Sequence, residues 1–310
     1  MEPCYTTTMT TLDSLPNEIL SLVLANFCVH CCDPHQIPAA FALIGTTGQQ
    51  QQEQEEEQGR QLPFGYSPDR QAWHSMCLIL TRFRDLAQPV LYHALVPGSS
   101  GSWTSVDYPW SRCLAGFLRT VVRRPDLAAL VRRVVLGSKI AAVIKDGVPR
   151  LVLEEATRAR GIQLADFLRP FQERYWPGNL ESMHFATYGQ LVAMLLACLP
   201  NLTSLVFPDG VTVYEIPQSA LRAAGISTLP LRTVEIFGGA WYNVVGLDGL
   251  LNMASSTLRT LNIVSGRDGL LQTLATRLRG LRSLCITNCV LNRSELGLIF
   301  SRCEGLESFI

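Results

Sequence analysis

The sequence predicts a mixed α/β architecture, with a small all-helical unit first and a succession of strand–helix coils after it. Three observations predict it. Two amphipathic stretches, one opening near Leu15 and one running from Ala72 to Gln88, place apolar residues at helical spacing. Beyond them a Leu-x-x-Leu-x-Leu pattern, with apolar exchanges, returns every 22–29 residues. Between its copies lie leucines at three- and four-residue steps, the period of a helix.

The first helix has Ser14 as a candidate N-cap and Pro16 in its first turn, where a missing N–H costs nothing. Ile19, Leu20, Val23, Leu24 and Phe27 form its apolar stripe. The run from Gln49 to Gln58 holds only Gln and Glu. It cannot bury enough surface to offset chain entropy, so a disordered insert is expected near residues 45–68. The second helix carries Trp73, Met76, Cys77, Leu80 and Phe83 on one stripe and is expected to stop at Pro89. Residues 96–110 are rich in Gly, Ser and Pro and are expected to link the unit, residues 1–95, to the coils of residues 111–310.

Copies of the repeated pattern begin at Leu180, Leu202, Leu231, Leu258, Leu281 and Leu306, the last cut off by the end of the chain. Val131 to Leu136 reads as an earlier copy, with one degenerate repeat between it and Leu180. Helices are expected over 190–199, 249–256, 270–278 and 294–303. The copy starting at Leu281 continues to Cys289 and Leu291, and Cys289 reads as a compact structural group under its turn.

The pair Leu15-Pro16-Asn17-Glu18-Ile19-Leu20 and Leu78 to Tyr92 resembles an F-box of the fungal type, with Leu80, Arg82 and Phe83 at the places where that motif carries a small or sulfur residue, an arginine and an aromatic. The insert makes the unit longer than its family relatives. The later copies resemble irregular leucine-rich repeats, whose period is roughly 20–29 residues. The resemblance implies an F-box followed by a horseshoe-like solenoid. It also implies docking onto a Skp-type adaptor and a cullin within a cullin–RING (SCF-type) ubiquitin ligase, and recruitment of a protein substrate for ubiquitination. The residues expected at the adaptor are Leu15, Pro16, Ile19, Leu20, Val23, Leu80 and Phe83. Some of them must instead be internal core.

In such a solenoid, alternate strand positions form one wall. Here that wall is small, mildly polar and nearly uncharged. His184 and Phe237 are its expected substrate anchors, with Val206, Glu235, Asn262 and Cys285 beside them. A plain solvated wall, with binding elsewhere, stays open as the alternative. So does a repeat scaffold not engaged in a ubiquitin ligase.

Other classes find little support. The chain holds 26 basic and 26 acidic residues, so no general pull toward nucleic acid or an acidic membrane is expected. Residues 112–160 are locally basic, with eleven basic against four acidic residues. Such a run usually forms a solvated helix face, and recruitment of an acidic or phosphorylated segment is the functional reading. Only Lys139 and Lys145 are lysines, which suits a GC-rich codon bias and would also make the chain a poor ubiquitin acceptor. No phosphate loop, nucleophile elbow or paired-His motif is present in the sequence, so no enzyme activity, catalytic residue or cofactor is expected. Cys28, Cys31 and His35 have ligand-like spacing but lack a second pair, and no metal is expected. The first residues lack a basic leader region and the longest apolar runs fall short of the ~20 residues of a membrane span. A cytoplasmic or nuclear location is expected.

Overall fold

The computed structural model describes residues 15–25, 81–95, 110–136, 148–175, 183–207, 216–237, 248–264, 280–287, 289 and 293–310. The Gln/Glu-rich insert, residues 96–109 and the Cys28/Cys31/His35 cluster lie outside them. The described elements are α1 (Asn17–Ala25), α2 (Thr81–Tyr92), β1 (Ala94–Leu95), α3 (Trp110–Arg123), α4 (Pro125–Ala128), β2 (Arg133–Val135), α5 (Val148–Ala159), α6 (Leu164–Tyr175) and α7 (Met183–Cys198). There follow β3 (Ser204–Phe207), α8 (Gln218–Ala223), β4 (Thr233–Phe237), α9 (Asp248–Ala254), β5 (Thr260–Val264), β6 (Ser283–Thr287), α10 (Arg293–Arg302) and β7 (Ser308–Phe309).

The seven described strands join one open parallel sheet, and their order in space is their order in the chain. The register explains why the leucines recur. Val134, Leu205, Val234, Leu261 and Leu284 stand in one row across β2 to β6, each 0–2% exposed. Phe207, Ile236, Ile263 and Ile286 form the next row on the same face. The helices cover this face, and their leucines complete one continuous core. Burying each such leucine contributes roughly 1.5–3 kcal/mol. The rows therefore bind each strand to the next along the sheet.

One junction repeats at nearly every strand. The carbonyl just ahead of a strand accepts two successive N–H groups of the next: Arg132 and Arg133 at His93, Thr203 and Ser204 at Arg132, Arg232 and Thr233 at Thr203. The same pairing recurs at Arg232, Arg259 and Arg282. Side chains add lateral ties. Asn201 Nδ2 donates to the Ala129 carbonyl at 2.8 Å, and the single Thr257 hydroxyl proton is shared between the Leu229 and Leu231 carbonyls, 2.7 and 2.8 Å from Oγ1. Gly249 lets α9 approach the turn before α8, because a Cβ there would stand 2.9 Å from the Gln218 nitrogen. Gly225 ends α8 with φ +82°, a left-handed value that costs glycine nothing, and the Ile226 N–H closes back onto the Leu221 carbonyl.

Three sequence expectations change. The copy at Leu180 is not a strand: from Met183 onward the chain is α7, and β2 pairs directly with β3. Leu180 and Met183 are three residues apart, a step that helix and repeat share. The helix-forming residues from Leu191 to Leu196, all buried, favour the helix. The degenerate repeat expected before it is likewise two helices, α5 and α6. Finally, α2 runs through Pro89 to Tyr92. Proline removes one hydrogen bond near the helix end, but Leu86, Ala87 and Val90 pack against α1 and hold the last turn in place.

The expected helices over 190–199, 249–256 and 294–303 coincide with α7, α9 and α10 within a few residues at their ends. The one over 270–278 lies outside the described residues. No helix among the described residues is long and apolar enough to cross a membrane.

Candidate protein-docking surface

Helices α1 and α2 pack on each other around a small apolar cluster. Leu20 and Leu24 (0% and 2% exposed) close on Ala87 (1%), with Leu15, Val23, Leu86 and Val90 packed around them. Arg82 fixes the start of α1: its Nε donates to Asn17 Oδ1 at 2.9 Å and its Nη2 to the Leu15 carbonyl at 2.5 Å. Pro16 sits just ahead of the helix, where its carbonyl accepts the Leu20 N–H at 3.1 Å, so it caps the helix from outside its first turn. Arg82 is thus a clamp across a separation of 65 residues between Asn17 and Arg82.

This packing sorts the expected adaptor residues. Leu20 is internal core and unavailable to a partner. Leu15 and Val23 are half-buried against that core. Pro16 is exposed, as is Ile19 at 44%, and Leu22, which the sequence reading passed over, is exposed at 65%. Pro16, Ile19 and Leu22 follow at three-residue steps on the side of α1 turned from α2. Leu80 and the Phe83 side chain lie outside the described residues. Tyr92, at the end of α2, stacks on Phe117 of α3 with ring centroids 6.1 Å apart, tying the unit to the coils.

The second candidate is the sheet face opposite the helices. The register brings Val206, Glu235, Asn262 and Cys285 into one row, as expected. The row is not an open wall: these side chains are 0%, 2%, 8% and 5% exposed. Arg133 is part of the reason. It stands in the row of Ser204 and Thr233, and its Nη2 reaches across β3 to donate to Glu235 Oε1 at 3.2 Å. Both side chains are nearly closed from solvent, at 11% and 3%. Arg133 Nε, Glu235 Oε2 and Ser204 Oγ are buried without a hydrogen-bond partner. His184 lies in α7 and not on this face, and neither its side chain nor that of Phe237 is among those described.

The sequence reading missed this pair. Aligning Val131 to Leu136 with the later copies puts Arg133 at the Ser204 position, and that alignment was the available signal.

Burial pushes the Glu235 carboxyl above its ordinary range, and the Arg133 guanidinium offsets this only in part. The folded state therefore holds the Glu235 proton more tightly than the unfolded chain does. Stability from this group is fully present below the unfolded carboxyl value and is lost as pH rises through the folded one. The melting temperature of the wild type, measured against that of Glu235→Gln across the same buffers, should fall as pH rises from about 4 toward neutrality. A difference that is constant with pH, or one that grows in favour of the wild type, would contradict the assignment.

Burial also raises the Cys198 and Cys303 thiols, making both less reactive than a free cysteine at neutral pH. Cys289 packs against the core and donates to the Thr287 carbonyl at 3.4 Å. Among the described residues no three His, Cys, Asp or Glu side chains gather as a metal site.

No protein-family model matches the chain, and no curated protein or solved structure matches it either. The class that the fold defines is a mixed α/β chain with an open parallel sheet.

Proposed function

We propose that the chain is a substrate-recruiting adaptor of a cullin–RING ubiquitin ligase, binding a Skp-type adaptor through α1 and α2 and a protein substrate through its coils. The observation that carries this reading is the exposed apolar stripe Pro16, Ile19 and Leu22 on a helix whose other side is locked by Leu20, Leu24 and Arg82. A small helical unit cannot cover all its own apolar surface. An exposed helix stripe with aliphatic anchors is the usual donor to a partner's groove. Chemistry then belongs to the partners. The chain contributes proximity, raising the local concentration of a substrate lysine near a partner-borne ubiquitin.

In this reading the coils are an irregular leucine-rich-repeat solenoid. Its support is the chain-order parallel ladder, the repeated junction ahead of each strand and the leucine rows. The work of the complex would lie in the cytoplasm or nucleus.

Affinity capture of the full chain tests the reading. Recovery of a Skp-type adaptor together with a cullin supports it. Stable recovery of the chain with neither leaves a leucine-rich scaffold outside any ligase.

A further inference from the structure

The outer surface of α3 and α5 carries a charge imbalance that the fold does not need. Leu114, Leu118 and Val121 of α3 and Val152, Leu153 and Ala156 of α5 face the core. Their outward sides bring three guanidiniums to one carboxylate. Arg123 Nε donates to Glu155 Oε1 at 2.6 Å, and Arg119 Nε lies 3.4 Å from Glu155 Oε2 without the alignment of a hydrogen bond. Arg158, one turn along α5, acts on the same carboxylate and is exposed. Among the described residues, one negative charge therefore faces three positive ones. The neighbouring pair Arg150–Glu154, 3.2 Å apart, is neutral and leaves that excess untouched. Leu151, one turn before Glu155 on α5, stands 59% exposed beside this group.

We propose that this surface docks an acidic peptide segment, with carboxylates on Arg119, Arg123 and Arg158 and one apolar side chain against Leu151. The charge is local, because the whole chain is neutral, so a short acidic segment gains more here than a long polyanion would from the molecule at large. Guanidinium forks suit carboxylates geometrically. An apolar anchor beside them favours a peptide over a nucleic acid, and Phe117 of α3 is already stacked on Tyr92. The inference does not rest on the ligase reading, since it concerns this surface whichever complex the chain joins.

The test is fluorescence anisotropy of the full chain with a labelled peptide of glutamates flanking a single leucine, at low and high salt. Binding that weakens with salt is expected. The double variant Arg119→Gln/Arg123→Gln should weaken it about tenfold. Leu151→Ser should weaken it several-fold.

Glu155→Gln should strengthen it several-fold, because it frees the arginines, and a merely damaged fold cannot produce a gain. No binding by the wild type would overturn the proposal. So would a Glu155→Gln variant that binds no better, or arginine-dependent binding that is tighter for a single-stranded oligonucleotide or for phosphatidylserine vesicles than for the peptide.

Discussion

Arg133→Met alone is expected to destabilise the fold by about 3–5 kcal/mol, while the double variant Arg133→Met/Glu235→Leu recovers most of that loss or exceeds the wild type. The reason is the closed position of the pair. With side chains 11% and 3% exposed, neither partner can turn to water when the other is removed. The two single variants should differ in a way that identifies the mechanism. A stranded Glu235 can escape by taking up a proton, so Arg133→Met costs less at low pH. A stranded Arg133 cannot shed its proton, so Glu235→Leu has no such escape, and its cost shrinks as pH rises only because the wild type itself loses the stability that protonated Glu235 supplies. Urea unfolding of the four proteins at acid and neutral pH completes the cycle. Single variants within ~1 kcal/mol of the wild type at neutral pH would mean that the pair is solvated.

Within α1, two neighbouring substitutions should separate folding from binding. Leu20→Ala removes a side chain that is 0% exposed and should cost the α1–α2 unit about 2–5 kcal/mol. Ile19→Asp with Leu22→Asp changes residues that are 44% and 65% exposed and should leave unfolding within about 0.5 kcal/mol of the wild type each. Arg82→Ala belongs with the first kind, because the hydrogen bonds to Asn17 and Leu15 join the two helices. Circular dichroism melts of the full chain read both effects. An Ile19/Leu22 variant that unfolds as readily as Leu20→Ala would show that the stripe is internal core.

Sequence periodicity anticipated the strands at every leucine-led copy except the one at Leu180. Leu202, Leu231, Leu258, Leu281 and Leu306 each lead into a strand within two residues. It failed at Leu180 because a three-residue apolar step serves helix and repeat alike, and the run from Leu191 to Leu196 settles the choice only through tertiary burial. Pro89 misled for a related reason: local chemistry ends a helix there, and contacts with a segment some sixty residues away keep it going. The adaptor stripe was legible in type and not in detail. Periodicity places Ile19 and Leu20 side by side, and only the packing of α2 decides that one is core and the other surface. Glu235 was read as part of an open wall, because nothing near it in sequence announces Arg133, 102 residues earlier.

Calorimetric titration of the full chain with a purified Skp-type adaptor measures the proposed contact at α1 itself. One-to-one binding by the wild type is expected, and Ile19→Asp/Leu22→Asp should lower it at least a hundredfold, roughly 2.7 kcal/mol, with its melting curve unchanged. Absence of binding by the wild type, or equal binding by the two, would contradict the proposed contact.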